Sequence, residues 1–239
     1  MRLPAKTKDA IRKVFRILSK GSIGIALVFA GSCSSIPKKE VVVSVREQRV
    51  AVLREGKALC VYPCSTSKFG LGDRRGTFAT PTGKLAVARK IGGGAPPGMV
   101  FKSRRPTGEV LPANAPGRDP IVTRIIWLRG LQSQNRQAYG RCIYIHGTPE
   151  ECALGRPASY GCVRMCSHDI IDLFNLVDVG TPVRIQKSAL PREAARLADA
   201  MAHRPQAPLR GAPQFAPVSS GPTLLAHQTF APPPPLDRR

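Results

Sequence analysis

Val41-Val42-Val43-Ser44-Val45, Arg49-Val50-Ala51-Val52-Leu53 and Ala58-Leu59-Cys60-Val61-Tyr62 follow one another closely, and their reading decides the class of the chain. Each is a short apolar run rich in β-branched residues. Arg46-Glu47-Gln48 separates the first two and Glu55-Gly56-Lys57 the next two, which predicts two tight turns. Three strands at intervals of about 8–10 residues specify an antiparallel sheet rather than βαβ units.

Outward from that hairpin pair the strand pattern continues. Thr80-Pro81-Thr82-Gly83 is a turn before the strand Leu85–Ala88. Val122–Leu128 and Cys142–His146 are further strands, the latter alternating through Ile143 and Ile145. Residues 91–120 are rich in Gly and Pro and are expected to form one long irregular excursion, a kind of loop that is usually functional. Ser167 is expected to cap a helix over Asp169–Val177, which carries Ile170, Ile171, Phe174 and Val177 at helical spacing. Pro182-Val183-Arg184-Ile185 closes the domain as a last strand. The expectation is a mainly β domain over residues 40–187, a sandwich or partial barrel with a few short helices.

The flanks differ in composition. Residues 1–20 hold seven basic side chains against the single Asp9, and an apolar stretch, Ile23–Ala30, leads into Gly31-Ser32-Cys33. A basic segment, a short apolar core and small residues make an export signal. Followed by Cys33, the pattern resembles a bacterial lipoprotein signal, with Ala30 where Leu is usual. Residues 1–39 are therefore expected to direct export, with membrane attachment through the N-terminus if Cys33 is lipidated. An uncleaved anchor is the plainer reading. Residues 191–203 predict a short helix with Pro191 in its first turn. Residues 204–239 contain nine prolines and no apolar period, so residues 188–239 are expected to end in a disordered or extended tail.

The formal charge is +22, from 37 Lys and Arg against 15 Asp and Glu. It is not gathered in one tail, since residues 40–187 alone hold 22 basic and 11 acidic side chains. Such a field attracts nucleic acid, anionic lipid or acidic wall polymer alike, so charge does not choose among them. No apolar run reaches the roughly 18 residues of a spanning helix, which excludes a polytopic membrane protein.

The chemistry-bearing residues form one constellation. His146 ends a strand in Tyr144-Ile145-His146-Gly147-Thr148, and sixteen residues after it Cys162 stands in Ser159-Tyr160-Gly161-Cys162-Val163-Arg164-Met165. A thiol nucleophile needs a base within hydrogen-bond reach and a third group to hold that base in one tautomer. Cys162 and His146 supply the first two. No carboxylate lies close in either motif, so a backbone carbonyl is a candidate for the third. Gly161 allows close backbone approach, amides near Cys162 are candidates for an oxyanion hole, and Arg164 is a candidate fork for a carboxylate. By spacing alone a buried Cys and a satisfied His are the commoner explanation of such residues.

These segments resemble the L,D-transpeptidase family of YkuD type. Its signature is His-Gly and, about 14–17 residues on, Ser/Thr-His-Gly-Cys-hydrophobic-Arg/Asn, matched here by His146-Gly147 and Ser159–Arg164. Ser65-Thr66, Thr80-Pro81-Thr82-Gly83, Ile125–Leu128 and Asp169–Ile185 extend the resemblance over residues 40–187. One departure is Tyr160, where His is usual. The resemblance implies that Cys162 is the nucleophile, His146 the base and the Gly147 carbonyl its orienter. It implies that Arg164 and Ser159, with Tyr160, Gly161 and Tyr144 around them, position the donor. It further implies peptidoglycan stem peptides as substrate, a covalent carbapenem adduct, a periplasmic or cell-envelope location, and no metal or cofactor.

Other residues take plainer readings. Cys60, Cys64, Cys142, Cys152 and Cys166 are expected to be free thiols, with disulfides as the alternative. His168 is expected at the surface and Trp127 in the core, with a place in the donor groove as its alternative. Lys102, Arg104 and Arg105 make a basic loop, either a solvated lid or a contact for acidic stems. Three function classes stay open: a transpeptidase, a hydrolase on the same scaffold, and a non-catalytic binder of wall polymer or nucleic acid. An export signal and an intact Cys/His/Arg set disfavour the last, and nucleic acid is not expected as a partner.

Overall fold

Valines fill both faces of the first strand, and the fold follows from where each face is covered. The structure, a computed structural model, describes residues 38–202. The expected export signal, Cys33 and the expected Pro-rich tail lie outside them. The strands are β1 (Lys39–Ser44), β2 (Arg49–Arg54), β3 (Lys57–Pro63), β4 (Gly83–Ile91), β5 (Met99–Lys102), β6 (Arg105–Val110), β7 (Ile121–Gly130), β8 (Tyr144–Gly147), β9 (Val163–Met165) and β10 (Pro182–Gln186). Two α-helices, α1 (Ser167–Leu176) and α2 (Arg192–Ala202), complete the described part. The mainly β expectation holds.

The strands join in one sheet of order β3-β2-β1-β10-β4-β7-β5-β6, with β8 on β7 and β9 on β8. The first three strands pair antiparallel, as their turns require. The sheet as a whole is mixed, because β10 returns parallel to β1 and β9 runs parallel to β8. Val41, Val43, Val50 and Val52 point into the main core with Leu85, Ile126, Leu128, Ile145, Val163, Met165 and Ile185, and α1 closes it with Ile170, Leu173 and Phe174. Ile125, Trp127 and Tyr144 alternate to the other face of β7 and β8 and build a smaller cluster with Phe101, against which Cys142 and Cys162 pack.

Three expectations need correction. Residues 91–120 are not one irregular excursion, for they contain the hairpin β5–β6. Its turn is Ser103-Arg104, both at positive φ (50° and 66°), and lacks the Gly or Asn that normally marks such a turn. Pro106 is tolerated because β6 is the edge of the sheet. At α1 the cap is Cys166, whose sulfur accepts from the Asp169 amide at 3.4 Å. Ser167 is drawn into the helix because its hydroxyl meets that of Thr123 at 2.7 Å and its amide meets the Glu151 carboxylate at 2.9 Å.

The third correction concerns the boundary at residue 187. Val42, Ala51, Leu53 and Val61, on the outer face of β1–β3, are covered by Leu190, Ala194 and Ala198. Helix α2 is thus a layer of the domain, and it explains why β1 reads as a continuous apolar run rather than an alternating one. A chain ended after residue 187 is expected to lose about 2 kcal/mol or more of unfolding free energy as this face is uncovered, and to bind a fluorescent apolar dye. Denaturant unfolding of the two lengths checks this; equal midpoints would show that α2 contributes nothing.

Candidate active site

The register of β8 and β9 sets the site. Ile145 pairs with Val163, His146 with Arg164 and Gly147 with Met165. One step back, Cys162 lies beside Tyr144. Side chains alternate along a strand, so Tyr144, His146, Cys162 and Arg164 share one face while Ile145, Val163 and Met165 enter the main core. Cys162 and His146 are diagonal neighbours on adjacent strands, a separation of about 7–8 Å across which long side chains meet.

His146 is buried, 5 % exposed. Its Nδ1 lies 2.8 Å from the Gly147 carbonyl oxygen. A carbonyl only accepts, so Nδ1 carries the hydrogen and Nε2 keeps a lone pair. Burial lowers the imidazole to about 4; the Gly147 carbonyl opposes this and the Arg164 guanidinium adds to it. Gly147 has no room for a side chain, since a Cβ would stand 2.6 Å from the Val122 carbonyl oxygen.

The Cys162 sulfur accepts from the Tyr144 amide at 3.4 Å and donates to the Cys142 carbonyl at 3.4 Å. Burial raises the thiol to about 11, against a smaller lowering by the Tyr144 amide. At neutral pH thiol and imidazole therefore rest uncharged, and no thiolate–imidazolium pair is preformed. The lone pair on Nε2 is the group suited to take the thiol proton during attack.

The turn before Cys162 is braced from several sides. Gly161 takes φ +120°, and a Cβ there would press on the Phe78 and Ala79 carbonyls at 3.4 Å. The Thr80 hydroxyl donates to the Gly161 carbonyl at 3.0 Å and accepts from the Ser67 amide at 3.0 Å. Ser65 and Arg164 exchange two backbone hydrogen bonds of 3.0 and 2.9 Å.

Two residues expected to hold the donor are occupied otherwise. Arg164 is 4 % exposed, and its guanidinium is engaged by Asp119 at 2.7 Å and Glu150 at 2.9 Å. It braces β9 and is not a free fork for a substrate carboxylate. Ser159 is buried, donates to the Cys162 carbonyl at 2.5 Å and accepts from the Gly161 amide at 3.2 Å, so it shapes the turn. Tyr144 offers its amide to the thiol, while its ring packs edge-on against Trp127. Tyr160 stays at the surface, its ring 5.3 Å from that of Phe69 and 5.7 Å from that of Phe78, with the Lys68 amine 4.5 Å from its centre.

Sequence reasoning missed Asp119 and Glu150, and it took Thr80 for a turn residue only. Nothing in the sequence ties Asp119 to Arg164 across forty-five positions. Trp127 is buried and stacked on Tyr139 at 4.2 Å. His168 lies at the surface beside Asp169 and Asp172. The six described cysteines are free thiols, and among the described residues no cluster of His, Cys, Asp and Glu is arranged to hold a metal.

Fold and geometry thus define a mainly β domain that places Cys162 and His146 on one face of adjacent strands. The family model of the L,D-transpeptidase catalytic domain, YkuD, matches residues 38–185, and the chain belongs to that family. YcfS of Escherichia coli (strain K12), named as a probable L,D-transpeptidase, is 30 % identical over 153 residues, which is 62 % of this chain. The match spans 44 % of that relative's length. Among solved structures, an L,D-transpeptidase from Mycobacterium smegmatis is 21 % identical, with a TM-score of 0.41 over 63 % of this chain and 59 % of that one. L,D-transpeptidase 3 from Mycobacterium tuberculosis, solved with a faropenem-derived adduct, is 22 % identical, with a TM-score of 0.41 over 63 % and 60 %.

Two outcomes follow from the geometry. Labelling of Cys162 by iodoacetamide, read on its peptide by mass spectrometry, is expected to climb about tenfold per pH unit between neutrality and pH 9. A plateau already reached at neutrality would mean a preformed ion pair. Arg164→Ala is expected to cost about 3 kcal/mol in denaturant unfolding, because it leaves Asp119 and Glu150 facing each other without their cation. Unchanged stability would reject the bracing role.

Proposed function

We propose that the domain is an L,D-transpeptidase acting on peptidoglycan stem peptides, in cell-wall crosslinking or remodelling, through a Cys162 acyl-enzyme. The observation that carries this reading is the tie of His146 Nδ1 to the Gly147 carbonyl, which leaves Nε2 as a proton acceptor on the face shared with Cys162. Membership of the family supports the substrate class.

In the proposed reaction the Cys162 sulfur attacks the carbonyl between an L-centre and a D-centre of a tetrapeptide stem while the thiol proton passes to His146 Nε2. A thioester forms, the amide C–N bond breaks, and the same proton leaves with the amine of terminal D-Ala. An acceptor amine, from a diaminopimelate of another stem or a protein Lys, then attacks the thioester and restores the thiol. Water in place of the amine makes the domain a hydrolase. Residues 1–39 are proposed to carry the domain to the periplasm or cell envelope, with lipidation of Cys33 as the tether.

Tetrapeptide muropeptides incubated with the protein and read by mass spectrometry test the proposal. Dimers are expected; shortened monomers would mean hydrolysis, and unchanged stems would favour binding alone. Cys162→Ala is expected to abolish turnover, and His146→Ala to lower it by about 10²–10⁴. A carbapenem is a strained acyl donor and is expected to add one mass increment to the wild type. The same increment on Cys162→Ala would overturn the assignment of the nucleophile.

A further inference from the structure

The cation expected to grip the donor is spent inside the domain, and another stands over the site. Arg164 is held by Asp119 and Glu150. Arg141 is likewise paired with Asp73 at 2.8 Å. Arg104, at the tip of the β5–β6 hairpin, has its guanidinium carbon 5.0 Å from the centre of the Trp127 ring. Its Nη1 lies 3.5 Å from the Tyr144 hydroxyl and 3.8 Å from the Cys142 sulfur. No carboxylate among the described residues pairs with it. The same two residues hold the Cys162 sulfur through their backbones, by the Cys142 carbonyl and the Tyr144 amide.

The hairpin directs Arg104 to this place. Positive φ at Ser103 and Arg104 makes a two-residue turn that matches the twist of the strands, at a conformational cost for two residues with side chains. The guanidinium turns Nη1 to Tyr144 and Cys142, and its remaining N–H donors suit a carboxylate. A neighbouring Tyr hydroxyl is a second donor to the same anion.

We infer that Arg104, backed by Trp127 and beside the Tyr144 hydroxyl, forms a carboxylate subsite that receives the terminal carboxylate of the residue released from the donor. This rests on the acyl-transfer reading above. In such a donor the terminal carboxylate follows the scissile carbonyl by three bonds, so the two carbons lie within about 4 Å. Tyr144 holds the thiol through its amide and meets Arg104 through its hydroxyl, so one residue links the nucleophile to the cation. The subsite would favour a stem ending at the residue after the scissile bond and disfavour a longer one, whose carboxylate falls further away.

The test compares the full chain with Arg104→Gln and Arg104→Lys. The residue is exposed at a hairpin tip, so melting temperatures should match. The first readout needs no turnover: the ratio of iodoacetate to iodoacetamide labelling at the Cys162 peptide. It is expected to fall about three- to tenfold in Arg104→Gln, with Arg104→Lys between, because only the first reagent carries a carboxylate. An unchanged ratio, or no labelling of Cys162 by either reagent, overturns the subsite. The second readout is KM for tetrapeptide donors. Arg104→Gln is expected to raise it about tenfold for the free terminal carboxylate and to leave a terminal carboxamide donor unchanged. Equal losses on both donors, or a response confined to donors amidated on a side-chain carboxyl, overturn the assignment. If the wild type processes no stem at all, the acyl-transfer reading fails while the labelling ratio still decides whether Arg104 serves an anion.

Discussion

The parallel pairing of β8 with β9 is the constraint on which the site depends. β9 has three residues, too few for its own ladder to hold it against fraying. It is clamped instead, with β8 on one side and the Ser65 backbone on the other. The Arg164 guanidinium anchors it across the loop residues Asp119 and Glu150. A buried ion pair contributes little net stability once the desolvation of its charges is counted. Its value here is positional, for three segments distant in sequence are fixed around one planar group. Slip β9 by one residue and Cys162 would turn into the core while Val163 faced the site.

That anchor also acts on the chemistry. The cation beside His146 disfavours a second positive charge there, in the same direction as burial. Burial in turn disfavours a negative charge on Cys162 more than the nearby amide and cations favour it. Neutral thiol and neutral imidazole are thus the state that a low-dielectric pocket selects. A protonated thiol is a poor target for oxidants and alkylating agents. In the proposed reaction, attack then waits on a substrate that excludes water and brings a carbonyl to the sulfur as its proton leaves.

The apolar runs of β1 to β4, β7, β8 and β10 were legible because β-branched and aliphatic residues dominate them. β5 and β6 were not, since Gly and Pro surround them and their turn uses Ser103 and Arg104. β9 was hidden by its length, and only the motif within it drew notice. Cys162 and His146 were legible as chemistry, and so was the need for a carbonyl beside the ring. Arg164 was legible as important but not as buried, because its partners sit in loops whose position no local pattern encodes. The packing of α2 was equally invisible: Leu190, Ala194 and Ala198 make an amphipathic stripe without naming the surface it meets.

Charge summed over the chain says little about a ligand, but charge placed in the fold says more. Many of the basic side chains are committed, as Arg164, Arg141 and Arg184 are to Asp119, Asp73 and Glu40. Arg104 and Lys68 lie instead on aromatic rings, Arg104 over Trp127 and Lys68 over Tyr160 beside Phe69 and Phe78. A cation held on an aromatic face keeps its charge available to a ligand while the ring offers apolar surface next to it. Tyr160 stands where the family usually has His, and its phenol takes the Lys68 amine at 3.1 Å rather than approaching the thiol. Cations on aromatic faces suit the anionic peptide stem proposed above.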